Sequence, residues 1–558
     1  MIIMKARYIT LSAIVALGLA LGLSSCKGVL DLGPYDHYGS NNYWKNPEQA
    51  HASIVGIYSH FRGQDWQHMM TFGELRGGSF KQAPTSSDAM TLQAGDLRLQ
   101  NIDEQHTIGK FGDIYGRITN LNLFIARVDG CGLGEAEKNY YLAQVYGLRA
   151  YYYFELHRVW GGVPIRLGVE VVDGERDPNV LYEPRRSPAE VLAQVRSDLE
   201  KSLQLFGGEA DFGAKYGFPA KTVWSKAASE CLAAEVALWS AKVTTVNAKA
   251  DPSQIAVAKR HLESVRDNYG LSLQSDYAKI FDTGNKANSE IIFASRYLEG
   301  EAQKWGNGFM YDLNTGNAKS QLLADGSVFG NPFQISGGNQ SYQYDDNLFL
   351  SFDERDSRRD ATFLAAYDKK IYEETGKMQL FGTFLAKNIG HINEQGNRVF
   401  DGDVIYYRLA WVYTALAEVA NYEGDNASVE KYINLLRKRA YGDKWDATTD
   451  AYHAGDFTQN ELAILREKDK EFVNEGQRWW DLRRMQYTKG GTHLVFRSEA
   501  GFYHGTAELN EEKEAHKVLF PVDAGILSND PTLVQTPGYT GGIRPYDGGW
   551  GKESSPIV

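Results

Sequence analysis

The sequence predicts a mainly α-helical protein, in which helices pair as in tetratricopeptide repeats and an irregular, loop-rich subdomain interrupts them. Three stretches have the composition of a helix start: NPEQ (residues 46–49), SPAE (187–190) and DPSQ (251–254). Each offers an N-cap side chain, Pro at the first helical position and Gln or Glu at the third. These residues satisfy or remove the unpaired N–H groups of a helix N-terminus. Apolar periodicity and short links between helices support the same fold class.

The clearest amphipathic helix covers residues 135–160 and is followed by GGVP (161–164). Apolar residues recur in it at steps of three and four, which places them on one face. Glycine adopts the left-handed conformation that ends a helix, and proline does not continue one, so we expect the helix to end at Trp160. The residues of the apolar face are Leu142, Val145, Leu148, Tyr152, Leu156 and Val159.

Helices are predicted in three pairs with short links. The pairs are residues 109–127 with 135–160, 222–243 with 252–268, and 404–422 with 427–441. The third is close to the length of a tetratricopeptide unit, about 34 residues, although the consensus of that repeat is not legible. A final long helix is predicted over residues 459–486.

Between residues 270 and 402 the helical pattern lapses, and Gly, Asn, Asp and Ser alternate with aromatic residues. A structureless loop of this length is rare in a compact domain, so we expect an irregular subdomain packed on the helices. Residues 64–106 form a second, smaller loop excursion within the N-terminal helical part, which covers 26–269. Residues 403–558 are predicted to form helices and a turn-rich tail.

Composition excludes several classes of protein. The 558 residues are 43% hydrophobic and 12% aromatic, enough for a large core. Acidic residues outnumber basic residues 71 to 59, which argues against a nucleic-acid partner. No HExxH, CxxC or Walker-type motif occurs, and the 12 His residues lack the spacing of metal ligands, so we predict no metal and no cofactor.

The N-terminus has the pattern of a bacterial lipoprotein signal. Lys5 and Arg7 precede an uncharged, mostly apolar run of about 15 residues, shorter than the roughly 20 of a membrane-spanning helix. The run ends in LSSC (residues 23–26), where small residues precede the cysteine that receives the lipid. We therefore predict a signal peptide over residues 1–25 and lipidation of Cys26, which anchors the chain to a membrane. An ordinary secretion signal with a chance cysteine is the alternative.

Lipidation of Cys26 leaves Cys131 and Cys231 as the other cysteines of the chain. Two cysteines in so long an exported chain do not form a disulfide framework, so stability must come from the core. Whether the two pair with each other is left open by the sequence.

The stretch EGQRWWDLRR (residues 475–484), called the double-Trp segment below, combines aromatic rings with guanidinium groups. Such groups bind sugars or phosphates, but they also pack helices together. Trp479 continues an apolar face, and Glu467, Glu471 and Glu475 follow one another at steps of four. Three like charges in a row destabilise a helix unless other elements supply positive partners. We therefore interpret the segment as internal packing, with Asp481 paired to an arginine three residues away.

The chain resembles the RagB/SusD family of outer-membrane nutrient-binding lipoproteins. The resemblance lies in EKDKEFVNEGQRWWDLRR (residues 467–484), LRAYYYFELHRVWGGVP (148–164) and FPVDAGILSNDPTLVQTPGY (520–539). It covers nearly the whole chain. The residues that depart from the family pattern are Lys468, Phe472, Asp523, Asp530 and Thr536. An acidic cluster directly after Cys26 is also absent, which bears on surface display.

The resemblance implies a surface lipoprotein that captures oligosaccharides and passes them to a SusC-like TonB-dependent transporter barrel in the outer membrane. It also implies a ligand surface formed by the early excursion and the irregular subdomain, and no catalytic activity. Sugar faces stack on aromatic rings, and hydroxyl groups pair with planar polar side chains. Our glycan-binding candidates in these regions are Trp66, Arg76, Arg98, Trp305, Tyr311, Tyr342 and Tyr344.

Two other functions compete with oligosaccharide capture. A peptide-capturing member of the same family would use backbone-pairing edges and charged pockets. A glycan-active hydrolase or lyase needs two carboxylates at a fixed separation or a tuned acid and base, and no acidic pair stands out in the sequence. A purely structural outer-membrane protein is a further alternative.

Overall fold

The structure, a computed structural model, describes residues 43–82, 97–104, 110–246, 248–304, 319–335, 342–501 and 505–551, without the side chains of 64–67. It confirms a mainly α-helical fold. The described helices are α1 (Pro47–Gly73), α2 (Gly112–Arg127), α3 (Glu135–Trp160), α4 (Pro178–Leu181), α5 (Pro188–Phe206), α6 (Lys226–Lys242), α7 (Gln254–Asn268), α8 (Asp346–Leu350), α9 (Ser357–Thr362), α10 (Lys369–Thr375), α11 (Leu409–Glu423), α12 (Asn426–Tyr441), α13 (Ala447–Asp450), α14 (Phe457–Glu471), α15 (Arg478–Arg484), α16 (Glu511–Glu514) and α17 (Ala524–Asn529).

Short strands accompany the helices, all paired antiparallel. The sheets have the strand orders β1-β4, β2-β9, β3-β5-β6 and β7-β8. The strands are β1 (Phe80–Gln82), β2 (Ile291–Ser295), β3 (Gln321–Leu322), β4 (Tyr342–Tyr344), β5 (Phe363–Asp368), β6 (Leu380–Leu385), β7 (His391–Ile392), β8 (Arg398–Val399) and β9 (Val404–Arg408).

Two of the three predicted helix starts are confirmed. Asn46 caps α1 by accepting from the N–H three residues on, and Ser187 forms a full capping box at the start of α5. The third prediction was wrong: α7 begins at Gln254, and Asp251 accepts from the backbone N–H and the hydroxyl of Ser253 at 3.0 and 2.7 Å. The Asp251 side chain thus bonds to Ser253, the residue directly before the helix. This local bond competes with capping of the helix.

Helix α3 forms the centre of the helical part. It has the predicted bounds, but it is buried on nearly all sides rather than on one face, because α2, α5 and α6 all pack on it. Gly147 permits the closest approach: a Cβ there would lie 2.2 Å from the indole nitrogen of Trp224. Gly161 ends the helix with φ 78°, as GGVP predicts. The predicted pairs α6–α7 and α11–α12 also pack against each other.

Two predicted helices differ from the structure. Residues 404–408 are not the start of a helix but strand β9, which pairs with β2. The long helix over 459–486 is divided into α14 and α15, because Asn474 and Gly476 adopt positive φ values of 63° and 67°. Glu475 therefore lies in a turn and not on the helix that carries Glu467 and Glu471.

The excursion and the irregular subdomain are more ordered than the sequence indicates. Residues 64–73, expected to be a loop, continue helix α1. The irregular subdomain contains the β3-β5-β6 sheet and three short helices, α8 to α10. Strand β1 of the excursion pairs with β4 of the subdomain, so the two regions are joined.

Cys131 and Cys231 are both buried, and each is a free thiol. Their stabilising role is therefore packing. Within the described residues, no helix has the length and apolar character needed to cross a membrane.

Candidate functional site

The double-Trp segment lies inside the protein. Trp479 and Trp480 are 1% and 4% exposed. The guanidinium carbon of Arg76 lies 3.9 Å from the ring centroid of Trp479, and that of Arg158 lies 4.3 Å from the ring centroid of Trp480. The segment contacts α1 directly, because a Cβ at Gly73 would lie 1.9 Å from the carbonyl oxygen of Gly476. The rings are thus packing elements and not a ligand platform.

Positive partners surround the glutamates of this region, as predicted. Arg408 bonds Glu471 at 2.7 Å and Glu475 at 2.8 Å, and Arg358 bonds Glu467 at 2.7 Å. Burial opposes the ionisation of Glu471, but the arginines Arg439, Arg408 and Arg358 outweigh it and hold the pKa of this carboxyl below its usual value. Asp481 pairs with Arg484 at 2.6 Å, which confirms the predicted pairing with an arginine three residues away.

Glu74 connects the double-Trp segment to the region of the predicted ligand surface. It accepts hydrogen bonds from the backbone N–H groups of Asn474 and Gly476 at 3.1 and 2.9 Å, and from the hydroxyl of Tyr344 at 2.9 Å. Burial raises the pKa of Glu74 to about 7. The segment therefore holds the end of α1 and strand β4 in place.

Three glycan-binding candidates are interior residues, and for them the prediction is corrected. Arg76 is 1% exposed, and Tyr342 and Tyr344 are 2% exposed each. Arg76 covers Trp479, while the ring centroid of Tyr344 lies 4.4 Å from that of Phe80. All three are occupied by packing: Arg76 lies between elements of the interior, and every residue of strand β4 is buried.

The other candidates have different positions. Arg98 is half-buried. Trp66 belongs to helix α1, but its side chain lies outside the described part of the structure, as do the whole of Trp305 and Tyr311 and the predicted lipidation site Cys26.

Residues that flank Trp66 and Trp305 meet in the fold. Arg62, one turn before Trp66 on α1, forms an ion pair with Glu301, four residues before Trp305. Met69 on α1 and Lys304 line the same small interior cavity. Helix α1 and the 296–304 segment therefore lie together, although they are more than 200 positions apart in the sequence.

A surface cavity of about 250 Å³ lies at this junction and is called the α1 cavity below. Its lining combines polar and apolar side chains, which suits a ligand with both apolar faces and hydroxyl groups. The polar side chains include Arg62, Arg296 and Glu301, with side-chain exposures of 23%, 19% and 54%. The lining residues are Val55, Tyr58, Ser59, Arg62, Phe218, Pro219, Thr222, Val223, Ser295, Arg296, Leu298 and Glu301.

Hydrogen bonds fix the arginines of the α1 cavity. Arg296 donates to Asp403 at 2.9 Å, and the same carboxylate accepts from Lys286 at 2.9 Å. The hydroxyl of Tyr297 donates to the backbone carbonyl of Arg62 at 2.6 Å, which ties α1 to the 296–301 segment. Side chains held in this way lose little freedom when a ligand binds.

Sequence reasoning missed the residues of the α1 cavity. Arg62 lies after the predicted helix start at residues 46–49, and Arg296 and Glu301 belong to no motif. The available signal was their proximity along the chain to Trp66 and Trp305. Among the residues that line the cavity Glu301 is the one acid, so the described lining lacks the carboxylate pair of a glycoside hydrolase.

No cluster of three or more potential metal ligands occurs among the residues that the structure describes. The architecture is a scaffold of helical pairs that holds a partly polar surface cavity beside the irregular subdomain.

Comparisons with known proteins agree with this class of fold. The model of the SusD family matches residues 280–539, and a second family model, described as "Starch-binding associating with outer membrane", matches residues 53–234. The chain belongs to the SusD family.

Solved structures and a curated relative support the assignment. A SusD superfamily protein from Bacteroides fragilis is 52% identical, with a TM-score of 0.83, and the match covers 89% of this chain and 100% of that chain. NanU of B. fragilis is 30% identical, with a TM-score of 0.75, over 91% of this chain and 100% of that chain. SusD-like protein P38 of Formosa agariphila is 24% identical over 85% of this chain and 90% of its own length.

Proposed function

We propose that this protein is a lipid-anchored protein of the outer membrane, facing the cell exterior, that captures oligosaccharides and hands them to a SusC-like TonB-dependent transporter barrel. The observation that carries the proposal is the junction of α1 with the 296–301 segment, which forms the α1 cavity. In the sequence, Trp66 follows Arg62 by four residues and Trp305 follows Glu301 by four. The description of the family model over residues 53–234, starch binding and outer-membrane association, supports the same conclusion.

In this proposal the α1 cavity supplies the polar contacts, and Trp66 and Trp305, which follow its segments in the sequence, supply stacking. Arg62 and Arg296 donate to sugar hydroxyls and Glu301 accepts from them, while Phe218 and Leu298 contact the apolar face of a sugar ring. Such sites are shallow and hydrated, so each sugar contributes modestly to binding. The protein binds its ligand without a metal, a cofactor or a catalytic step.

Isothermal titration calorimetry with a panel of oligosaccharides tests the capture step. We expect Trp305→Ala to abolish or greatly weaken binding and to leave the unfolding temperature nearly unchanged. Trp445→Ala is the matched control, because Trp445 is half-buried in the helical part, against Tyr441. A large loss of stability in Trp305→Ala, with binding retained, would assign Trp305 to the core.

Four further measurements test the alternatives, the lipid anchor and the transporter partner. Binding of peptide mixtures, with no binding on glycan arrays, would favour the peptide-capturing function. Release of reducing ends from a panel of polysaccharides would show an enzyme. Loss of the membrane-bound form in Cys26→Ala, and co-purification of a barrel with the native protein, are the expected results for the anchor and the transporter.

A further inference from the structure

A second surface cavity, of about 370 Å³, lies between the segment that follows α6, helix α15 and the C-terminal tail. It is called the Arg483 cavity below. Apolar side chains form most of its wall, among them Val246, Val495 and Phe496. Val246 is 42% exposed, which places it at the mouth. None of its lining residues belongs to the α1 cavity.

Arg483 brings a positive charge to this apolar cavity. It is 3% exposed, and within the described residues no carboxylate lies within 4.0 Å of it. Its Nη1 donates to the backbone carbonyl of Arg158, whereas Nε and Nη2 have no hydrogen-bond partner in the described part of the chain. The neighbouring Arg484 differs, since it bonds Glu418 and Asp481, both at 2.6 Å.

The surroundings of Arg483 do not neutralise its charge. The rings of Trp239 and Trp480 lie 4.9 and 5.8 Å from its guanidinium carbon, which offsets part of the cost of burial. Burial and the positive charges of Arg76 and Arg158 lower the pKa of Arg483 well below its usual value. A buried charge without a counter-ion is costly, and a bound anion would remove that cost.

A second buried polar atom belongs to the same cavity. His493 is a lining residue, and its Nδ1 is buried with no hydrogen-bond partner among the described residues. Burial lowers the pKa of His493 to about 4, so the ring is neutral near neutral pH and can donate one hydrogen bond. Buried polar atoms are normally paired, so an unpaired buried Nδ1 in the same cavity as an arginine without a counter-ion indicates a missing ligand.

We propose that the Arg483 cavity binds a small organic acid, whose carboxylate pairs with Arg483 and whose apolar body contacts Val246 and Phe496. Two neighbouring N–H groups of a guanidinium match the two oxygens of a carboxylate. The apolar wall disfavours a fully hydrated inorganic anion such as phosphate. This function goes beyond oligosaccharide capture and does not depend on it.

Titration calorimetry of the whole mature protein with benzoate tests the proposal, with inorganic phosphate measured in parallel. We expect saturable benzoate binding that is about tenfold weaker, or weaker still, in Arg483→Met, because the charge-assisted pair is lost. We also expect Arg483→Met to unfold at a temperature no lower than that of the native protein, because it removes an unneutralised charge. Binding of phosphate as tight as that of benzoate would overturn the proposed ligand class.

Val246→Trp provides a second test that leaves Arg483 unchanged. The larger side chain fills the mouth of the cavity, so we expect it to abolish benzoate binding while oligosaccharide binding and the unfolding temperature stay unchanged. Val328→Trp is the matched control, since Val328 is 50% exposed in the irregular subdomain. Undiminished benzoate binding in Val246→Trp, or no saturable binding by the native protein, would overturn the proposal.

Discussion

The guanidinium of Arg76 lies against the ring of Trp479, with 3.9 Å between the guanidinium carbon and the ring centroid. Arg76 also donates to the side chain of Gln100 at 2.8 Å and to the backbone carbonyl of Lys517. Burial lowers the pKa of Arg76 to about 9. One side chain thus joins the early excursion, the double-Trp segment and the C-terminal tail, so the ring of Trp479 serves stability.

Trp479→Ala is expected to destabilise the protein by about 3–5 kcal/mol, the usual cost of truncating a buried Trp. The substitution leaves a cavity beneath Arg76 and removes its stacking partner. The free energy of unfolding in guanidinium chloride measures this loss. The half-buried Trp445 is the control, and Trp445→Ala should cost clearly less; equal losses in the two variants would contradict the assignment.

Arg408→Met is expected to lower the free energy of unfolding by about 3–5 kcal/mol, because it leaves buried carboxylates without their partner. Arg408 contacts Glu290, Glu471 and Glu475, whose side chains are 0%, 0% and 8% exposed. The control is Arg266→Met, since Arg266 pairs with the 53% exposed Asp267 and its ion pair contributes little. A loss in Arg408→Met no larger than that of the control would refute the role of this network.

Glu74 predicts a pH dependence of stability. Its folded-state pKa is about 7, above the ordinary value of 4.5, so the folded protein binds the proton more tightly than the unfolded chain. The contribution of Glu74 to stability is therefore largest at pH values below 4.5, and it is lost as the pH rises through about 7. Relative to Glu74→Gln, which stays neutral, the native protein should lose up to about 3 kcal/mol between about pH 5 and about pH 8.

Denaturant unfolding of the native protein and Glu74→Gln across this pH range measures the effect. Glu512→Gln is the control, because Glu512 is exposed, and its stability curve should run parallel to that of the native protein. A constant difference between native protein and Glu74→Gln at all pH values would show that Glu74 is ionised throughout.

Arg62→Ala tests the α1 cavity. We expect oligosaccharide affinity to fall about tenfold, since hydrogen bonds to a charged donor are lost. The unfolding temperature should change little, because the partner Glu301 is 54% exposed and surface ion pairs contribute little. Arg359→Ala is the control: Arg359 has a similar exposure, 20% against 23%, and pairs with the exposed Asp360. Unchanged affinity in Arg62→Ala would exclude the cavity as the binding site.

The helical scaffold was predictable because its signals are local. The cap at Ser187 and the stop at Gly161 depend on neighbouring residues, and the structure has both. The prediction for residues 404–408 was wrong because the apolar residues of VIYYR also fit a helical pattern. The strand depends on pairing with β2, more than 100 residues earlier in the chain. The break at Asn474 and Gly476 was also missed, although glycine favours such a conformation.

The candidate site was predictable only as a region. Tyr342 and Tyr344 alternate with polar residues, a pattern typical of a half-exposed strand, but β1 and β6 pack against β4 and bury both rings. Arg62 and Glu301 meet through the fold and not through any spacing in the sequence. The buried state of the double-Trp segment was predicted correctly, because Glu467, Glu471 and Glu475, in and just before it, required internal cations.

The network around Glu471 has a consequence for dividing the chain. The network spans residue 403: Glu290, Arg358 and Lys387 lie before it, whereas their partners Arg408, Glu471 and Glu475 lie after it. A fragment that ends at residue 402 would hold Glu290 and Lys387 without their ion-pair partners, and the complementary fragment would hold Glu471 and Glu475 with fewer cations than in the intact protein. We therefore expect neither piece to be obtainable in folded form on its own, and the loops that select a ligand to be exchangeable only within the intact protein.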